Sequence, residues 1–365
     1  MGTGGGDART GELSRAIAGL ARRTGPVRLM EVCGTHTVAI FRHGIRSLLP
    51  EGITLLSGPG CPVCVTALKD VDTAVAASLA PGVVLATFGD MMRVPGSRSS
   101  LYEARAEGAD VRVVYSPMEA LRMAEENPRL TVVFFATGFE TTSPLVAATL
   151  GEAEKRGVEN FLVHPVHKLV PPALRALLEA GEAAVDGFIL PGHVSAVIGS
   201  RPYGFIPGDY GVPAVVTGFE AADILEGILM LLADMLSEGP LRVGVQYTRA
   251  VREEGNPRAV AFIEECFEPE DAHWRGIGTI PRSGLGLREA LRHRDARTVL
   301  SLSVPDAPEP RGCACGEVLR GLKVPSDCPL FGKACTPRRP VGPCMVSSEG
   351  SCAAYYRYGG LVARG

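Results

Sequence analysis

Thr131-Val-Val-Phe-Phe-Ala136 runs straight into Thr137-Gly-Phe-Glu-Thr-Thr142 and then into a helix-forming stretch from Pro144 to Arg156. The first five residues are β-branched or aromatic, and the run is apolar on consecutive positions from Val132. A strand apolar on both faces is one covered on both faces, as in a parallel sheet. The glycine-bearing loop ends the strand, and Pro144 suits a first helical turn.

The same strand–loop–helix unit repeats outward in both directions. Strands are expected at Val27–Val32, Ile53–Leu56, Val83–Thr87, Val111–Tyr115, Phe161–Val163, Gly187–Leu190 and Ala214–Val216. Helices are expected at Val38–Leu49, Leu68–Leu79, Pro117–Glu126, Pro172–Glu179 and Ala221–Leu236, with one more at Asn256–Phe267. This rhythm predicts an α/β fold with parallel sheets. Eight strands are divided here into two parallel-sheet α/β lobes, residues 26–130 and 131–240. They follow a flexible N-terminal tail and first helix (1–25) and precede a C-terminal Cys-rich region (241–365). That last region is rich in Cys, Gly and Pro, and it needs a metal or close docking to hold a shape.

The 365 residues carry 37 Lys and Arg against 40 Asp and Glu, a formal net charge of −3. No basic excess exists to neutralise phosphates, which argues against nucleic acid as a partner. No apolar run approaches the ~20 residues of a membrane span, and the N-terminus lacks the pattern of a secretory signal. The expected setting is cytoplasmic. There, ten cysteines point to metal binding or thiol chemistry rather than to a disulfide framework.

Five polar loops follow predicted strands: Glu31–Thr37, Ser57–Cys64, Thr87–Ser97, Ala136–Thr142 and Pro191–Ser195. Ligands of open α/β sheets bind outside the carboxyl ends of the strands, so these loops predict a shared cleft. Cys61-Pro-Val-Cys64 is a CxxC before a predicted helix, suited to a reversible disulfide or to half of a metal site. Cys33 precedes His36 by three positions, a pair suited to metal ligation or to nucleophilic chemistry. Asp90, Arg93, Glu140 and His193 are candidates to orient ligands or to handle protons. His164 and His167 read as a surface or loop pair.

Six cysteines fall within the last 53 residues: Cys313, Cys315, Cys328, Cys335, Cys344 and Cys352. Four thiolates serve a [4Fe–4S] cluster or a structural zinc ion equally well. Cys313, Cys328, Cys335 and Cys352 are the expected set, with Cys315 able to replace Cys313 and Cys344 left as a spare.

Together these loops and this tail resemble the hydrogenase maturation factor HypD family over Met30 to Tyr358. The motifs are CGTHT (Cys33–Thr37), GPGCPVC (Gly58–Cys64), TFGDMMRVPGS (Thr87–Ser97), GFETT (Gly138–Thr142), PGHVS (Pro191–Ser195) and CTPRRPVGPCMVSSEGSCAAYY (Cys335–Tyr356). The resemblance implies two α/β domains and a C-terminal [4Fe–4S] cluster. It implies a scaffold that works with the small chaperone HypC. The two hold an Fe(II) ion while cyanide, from the HypE–HypF pair, and CO are attached, and the unit then passes to the large subunit of [NiFe]-hydrogenase. On this resemblance Cys33 ligates the iron being dressed and Cys61 with Cys64 is the redox pair. The four tail cysteines hold the cluster, and His36, Asp90, Arg93, Glu140 and His193 line the cleft. The competing readings are an iron–sulfur-dependent thiol–disulfide oxidoreductase and a zinc-stabilised interaction module.

Overall fold

A computed structural model describes residues 4–362. All eight expected strands form, and they divide between two parallel sheets. The first contains β1 (Val27–Glu31), β2 (Ile53–Ser57), β7 (Gly187–Pro191), β8 (Ala214–Thr217) and the short β9 (Gly244–Val245), in the order β2-β1-β7-β8-β9. The second contains β3 (Val83–Thr87), β4 (Val111–Val113), β5 (Thr131–Ala136) and β6 (Phe161–Pro165), in the order β4-β3-β5-β6.

The division near residue 130 is therefore corrected. β3 pairs with β5 from Val83↔Thr131 to Thr87↔Phe135, so a boundary at 130 would cut through one sheet. The chain begins the first sheet, builds the second in full, and returns at β7, which pairs with β1 at Leu29↔Gly187. Strand patterning reports burial on both faces and is silent about which strand is the neighbour.

The outer face of the first sheet is covered by the helices Gly4–Thr24 and Ala221–Met235, whose Ile17, Leu225, Ile228 and Leu232 pack with Leu29, Ile189 and Val215. The helices Pro117–Glu126 and Ser143–Arg156 do the same for the second, with Leu121 and Leu150 against Val132 and Phe134. The inner faces share one core: Met30, Phe188 and Val216 of the first sheet join Leu85, Phe135 and Leu162 of the second. Each such side chain is fully buried, which contributes roughly 1.5–3 kcal/mol apiece.

Three other expectations change. The first helix begins at Gly4, inside the stretch read as a loose tail; Met1–Thr3 lie outside the described residues. An antiparallel hairpin, β10 (Phe267–Trp274) and β11 (Gly278–Leu287), follows the helix Pro257–Cys266. Its strands escape sequence reading because Glu268, Pro269, Glu270 and Asp271 break the apolar pattern and the register shifts after Glu270. His164 and His167 are buried, at 0% and 1% exposure. His164 lies in β6 and stacks on Phe135 at 5.2 Å, so neither is a surface residue.

Candidate functional site

β1 and β2 are parallel neighbours, in register to Glu31↔Ser57, so the loops that follow them emerge side by side. Cys33 caps the helix Gly34–Arg42, and Cys61 caps the short helix Pro62–Val65. The Gly34 N–H donates to the Gly60 carbonyl at 2.8 Å. Gly60 lies so close to the Val32 and Cys33 backbone that no Cβ fits there. Only glycine permits this approach. Cys61 and Cys64 form a disulfide with their Cα atoms 5.2 Å apart. Both are buried, at 3% and 1% exposure.

Cys33 is also buried, and loss of hydration pushes its thiol up to about 12. The backbone N–H groups of His36 and Thr35 pull the other way, and Glu349 and Glu31 raise it further. Glu31 escaped the sequence reading. Its carboxylate accepts the Cys33 N–H at 3.1 Å and the Thr37 hydroxyl at 2.5 Å, pinning the loop from beneath. Burial pushes Glu31 up to about 7.

His36 is fully buried. Its Nε2 lies 2.9 Å from the Gly218 carbonyl and 2.9 Å from Thr217 Oγ1. A carbonyl only accepts, so Nε2 carries the proton and Nδ1 holds the lone pair. That Nδ1 has no hydrogen-bond partner among the described residues. Burial lowers the ring to about 4, so it is neutral near pH 7. Phe219 lies between two imidazoles, 4.7 Å from His36 and 4.0 Å from His193. His193, at the end of β7, is thereby brought beside His36.

Asp90 and Arg93 face the tail instead. Asp90 Oδ2 accepts from Ser347 Oγ at 3.3 Å, and Ser347 Oγ in turn accepts the Glu349 N–H at 3.2 Å. Glu349 Oε1 accepts the Thr35 hydroxyl at 2.7 Å. A chain of hydrogen bonds thus ties the loop after β3, the tail and the Cys33 loop together. Arg93 donates to the Pro337 carbonyl at 2.5 Å. Glu349 was not among the expected residues, although it lies within the tail motif itself. Glu140 is set apart. Its Oε1 accepts the Val170 N–H at 2.9 Å, its Oε2 has no partner among the described residues, and burial pushes it up to about 7.

In the tail, the Cys344 thiol touches those of Cys315 and Cys352, and Cys313 touches Cys315. These contacts hold Cys344 well above the usual thiol range and bring Cys352 down to about 6, the Cys315 bond being the main cause. Cys335 Sγ accepts the Val341 N–H at 3.3 Å and lies in the field of Cys315 and Cys313. A Cβ on Gly342 would meet the Cys315 and Cys313 sulfurs at 2.6 and 2.7 Å. Of the expected four, Cys313, Cys335 and Cys352 converge. Cys315 and Cys344 join them, whereas Cys328 Sγ turns to the Gly312 carbonyl at 3.8 Å. Cys315, Cys344 and Cys352 touch one another, with Cys313 on Cys315; among the described residues no three such side chains are arranged around a single-ion position. The all-thiol donor set suits iron or zinc.

The tail is docked on the first site. The turn Pro343–Met345 packs against the helix Pro62–Val65, and the last helix, Ser351–Val362, packs on Gly34–Arg42. Phe41 meets Tyr355 edge-on at 4.7 Å. Fold and site define an α/β protein in which a disulfide-bonded CxxC, a buried cysteine on the neighbouring loop and a thiol-rich tail are packed together. Among the described residues, no helix is long and apolar enough to cross a membrane.

Residues 9–359 match the family model HypD, described as the hydrogenase formation hypA family, and the chain belongs to this family. It is 49% identical to the hydrogenase expression/formation protein HupD of Azotobacter chroococcum, over 95% of this chain and 93% of that one. It is 47% identical to the hydrogenase maturation factor HypD of Escherichia coli K12, over 91% and 89%. A putative hydrogenase expression/formation protein of Methanocaldococcus jannaschii is 46% identical over 93% and 94%.

Proposed function

We propose that this chain is a hydrogenase maturation factor acting as an assembly scaffold, on which an iron ion is held by Cys33 and a thiolate of HypC while cyanide and CO are added. One observation carries this reading: the Cys33 loop, the Cys61–Cys64 disulfide helix and the sulfur-rich tail all touch one another. A scaffold needs a cargo thiol, a means of changing its surroundings by redox chemistry, and an electron source, all within reach of one another.

The residues support each part. Fe(II) as substrate would displace the proton of the buried Cys33 thiol, since a metal binds the thiolate. Glu31 holds the Cys33 backbone and the helix N-terminus gives its N–H groups to the sulfur, while neutral His36, three residues on, has a free Nδ1 among the described residues. Cys335, Cys344 and Cys352, with Cys313 or Cys315, would hold a [4Fe–4S] cluster. Such a group, when bound, supplies one-electron transfer. Family membership makes the HypE–HypF cyanide donors and the hydrogenase large subunit the expected partners upstream and downstream.

The disulfide also suits a thiol–disulfide oxidoreductase. Its burial weighs against that reading, because a protein thiol must reach a sulfur atom to attack it. The test is infrared spectroscopy on the anaerobic complex with HypC. Bands of Fe-bound cyanide and CO are expected for the native chain and should vanish in Cys33→Ala while the brown tail chromophore remains. Bands that survive in Cys33→Ala would remove Cys33 from the scaffold.

A further inference from the structure

The loop that carries Cys335 forms one wall of an open groove of about 750 Å3, lined by Arg93, Tyr102, Glu103, Arg338, Arg339 and Val341 among others. Arg93, Arg338 and Arg339 are exposed. None of the three forms a salt bridge among the described residues; Arg93 donates only to backbone carbonyls. Glu103 is turned to its own helix cap, where its Oε2 accepts the Ser100 N–H at 2.8 Å and the Ser100 hydroxyl at 2.9 Å. The groove is therefore cationic on a chain whose net charge is −3.

Behind its wall lies the sulfur group. Val341 gives its N–H to Cys335 Sγ at 3.3 Å, and Ala334, also in the lining, is the residue before Cys335. Beyond that group is the Cys61–Cys64 disulfide, on the helix packed against Pro343–Met345. With those two cysteines at 3% and 1% exposure, no external dithiol reaches them, so reducing equivalents have to arrive through the protein.

The geometry points to this groove as the docking surface for an acidic one-electron carrier protein that supplies the electrons reducing Cys61–Cys64. The proposal rests on the tail being an iron–sulfur site. Electron-transfer partners dock over small, charge-matched surfaces, and a cationic concavity steers an acidic partner. The balance closes on the carrier. Two reduced carrier molecules each give up one electron, the S–S bond breaks, and two protons from solvent complete two thiols.

The test uses the full, anaerobically purified chain and a reduced acidic [2Fe–2S] ferredoxin as probe. Carrier binding is followed by fluorescence anisotropy, and disulfide reduction by stopped flow and thiol counting. Arg338→Glu/Arg339→Glu should weaken binding and slow reduction by about tenfold or more, and salt should weaken native binding steeply. Arg122→Glu, outside the groove, should change neither. Dithionite, which needs no docking, should reduce native and variant chains alike. Unchanged carrier binding and rate in the double variant would overturn the proposal while leaving the tail reading intact. So would loss of inorganic triphosphate binding with carrier kinetics untouched, which would make the groove an anion pocket. If dithionite left the disulfide oxidised in the native chain, the tail reading would fall and the proposal with it.

Discussion

Glu140→Gln should stabilise the protein at neutral pH and above, and leave it nearly unchanged at about pH 5. The native carboxyl has one oxygen on the Val170 N–H and the other buried without a partner among the described residues. Burial raises it from 4.5 to about 7. Below 4.5 the group is neutral in both the folded and the unfolded chain, and the full stability is present. As the pH rises the unfolded chain ionises first, so stability falls until the folded carboxyl also ionises near 7, and then levels off. A shift of about 2.5 units at 1.36 kcal/mol each makes the loss roughly 3 kcal/mol at about pH 8. Glutamine keeps the carbonyl on Val170 and cannot ionise. Its amide NH2 replaces an oxygen that was unpaired already, at a cost of about 1 kcal/mol. The variant should therefore gain roughly 2 kcal/mol at about pH 8 and nothing at about pH 5. Urea unfolding midpoints at the two pH values measure this. An equal difference at both would refute the buried-carboxyl argument, whatever its size.

Gly60→Ala should destabilise the fold by about 3 kcal/mol or more, because the new Cβ overlaps the Val32 and Cys33 backbone rather than a movable side chain; urea unfolding gives the size. Alkylation of Cys33 should also become faster in that variant. Cys344→Ala should abolish the tail chromophore and Cys328→Ser should keep it, as read by visible absorbance after anaerobic purification, since Cys344 touches two other thiols and Cys328 touches a carbonyl.

The strands were legible because several are apolar on consecutive positions: Val83–Thr87 is wholly buried in β3, as its composition demands. Their neighbours were not legible. Nothing in Val27–Glu31 announces that β7, 160 residues on in the numbering, will lie against it. The loops showed themselves through glycine and cysteine, which is why Cys33, His36, Cys61, Cys64 and His193 stand out in the sequence. Glu31 and Glu349 do not, because a carboxylate in a strand or a tail looks like solvated surface until its partners are in place. Cys328 shows why spacing alone does not choose among the thiols. Spacing counts thiols along the chain, but the direction of each Sγ is set by local turns, and the Pro325–Asp327 turn sends this one to Gly312.

The interrupted first sheet explains why the site exists at all. Parallel strands all release their loops at one edge, spaced about 4.8 Å apart. In the order β2-β1-β7-β8, that edge presents the Cys61–Cys64 loop, then Cys33 and His36, then His193, then Thr217 and Phe219. A sheet built from consecutive strands would have put β3 beside its predecessors, and His193 and Phe219 could not have met His36. Inserting the second sheet between β2 and β7 also leaves the loop after β3 free to meet the tail through Asp90 and Ser347. The tail then touches Thr35 through Glu349 and the CxxC helix through Pro343–Met345. Any change in the sulfur group thus has a physical path to the Cys33 loop and to the CxxC helix. The strand order of the first sheet, interrupted by the second, is what makes that path short.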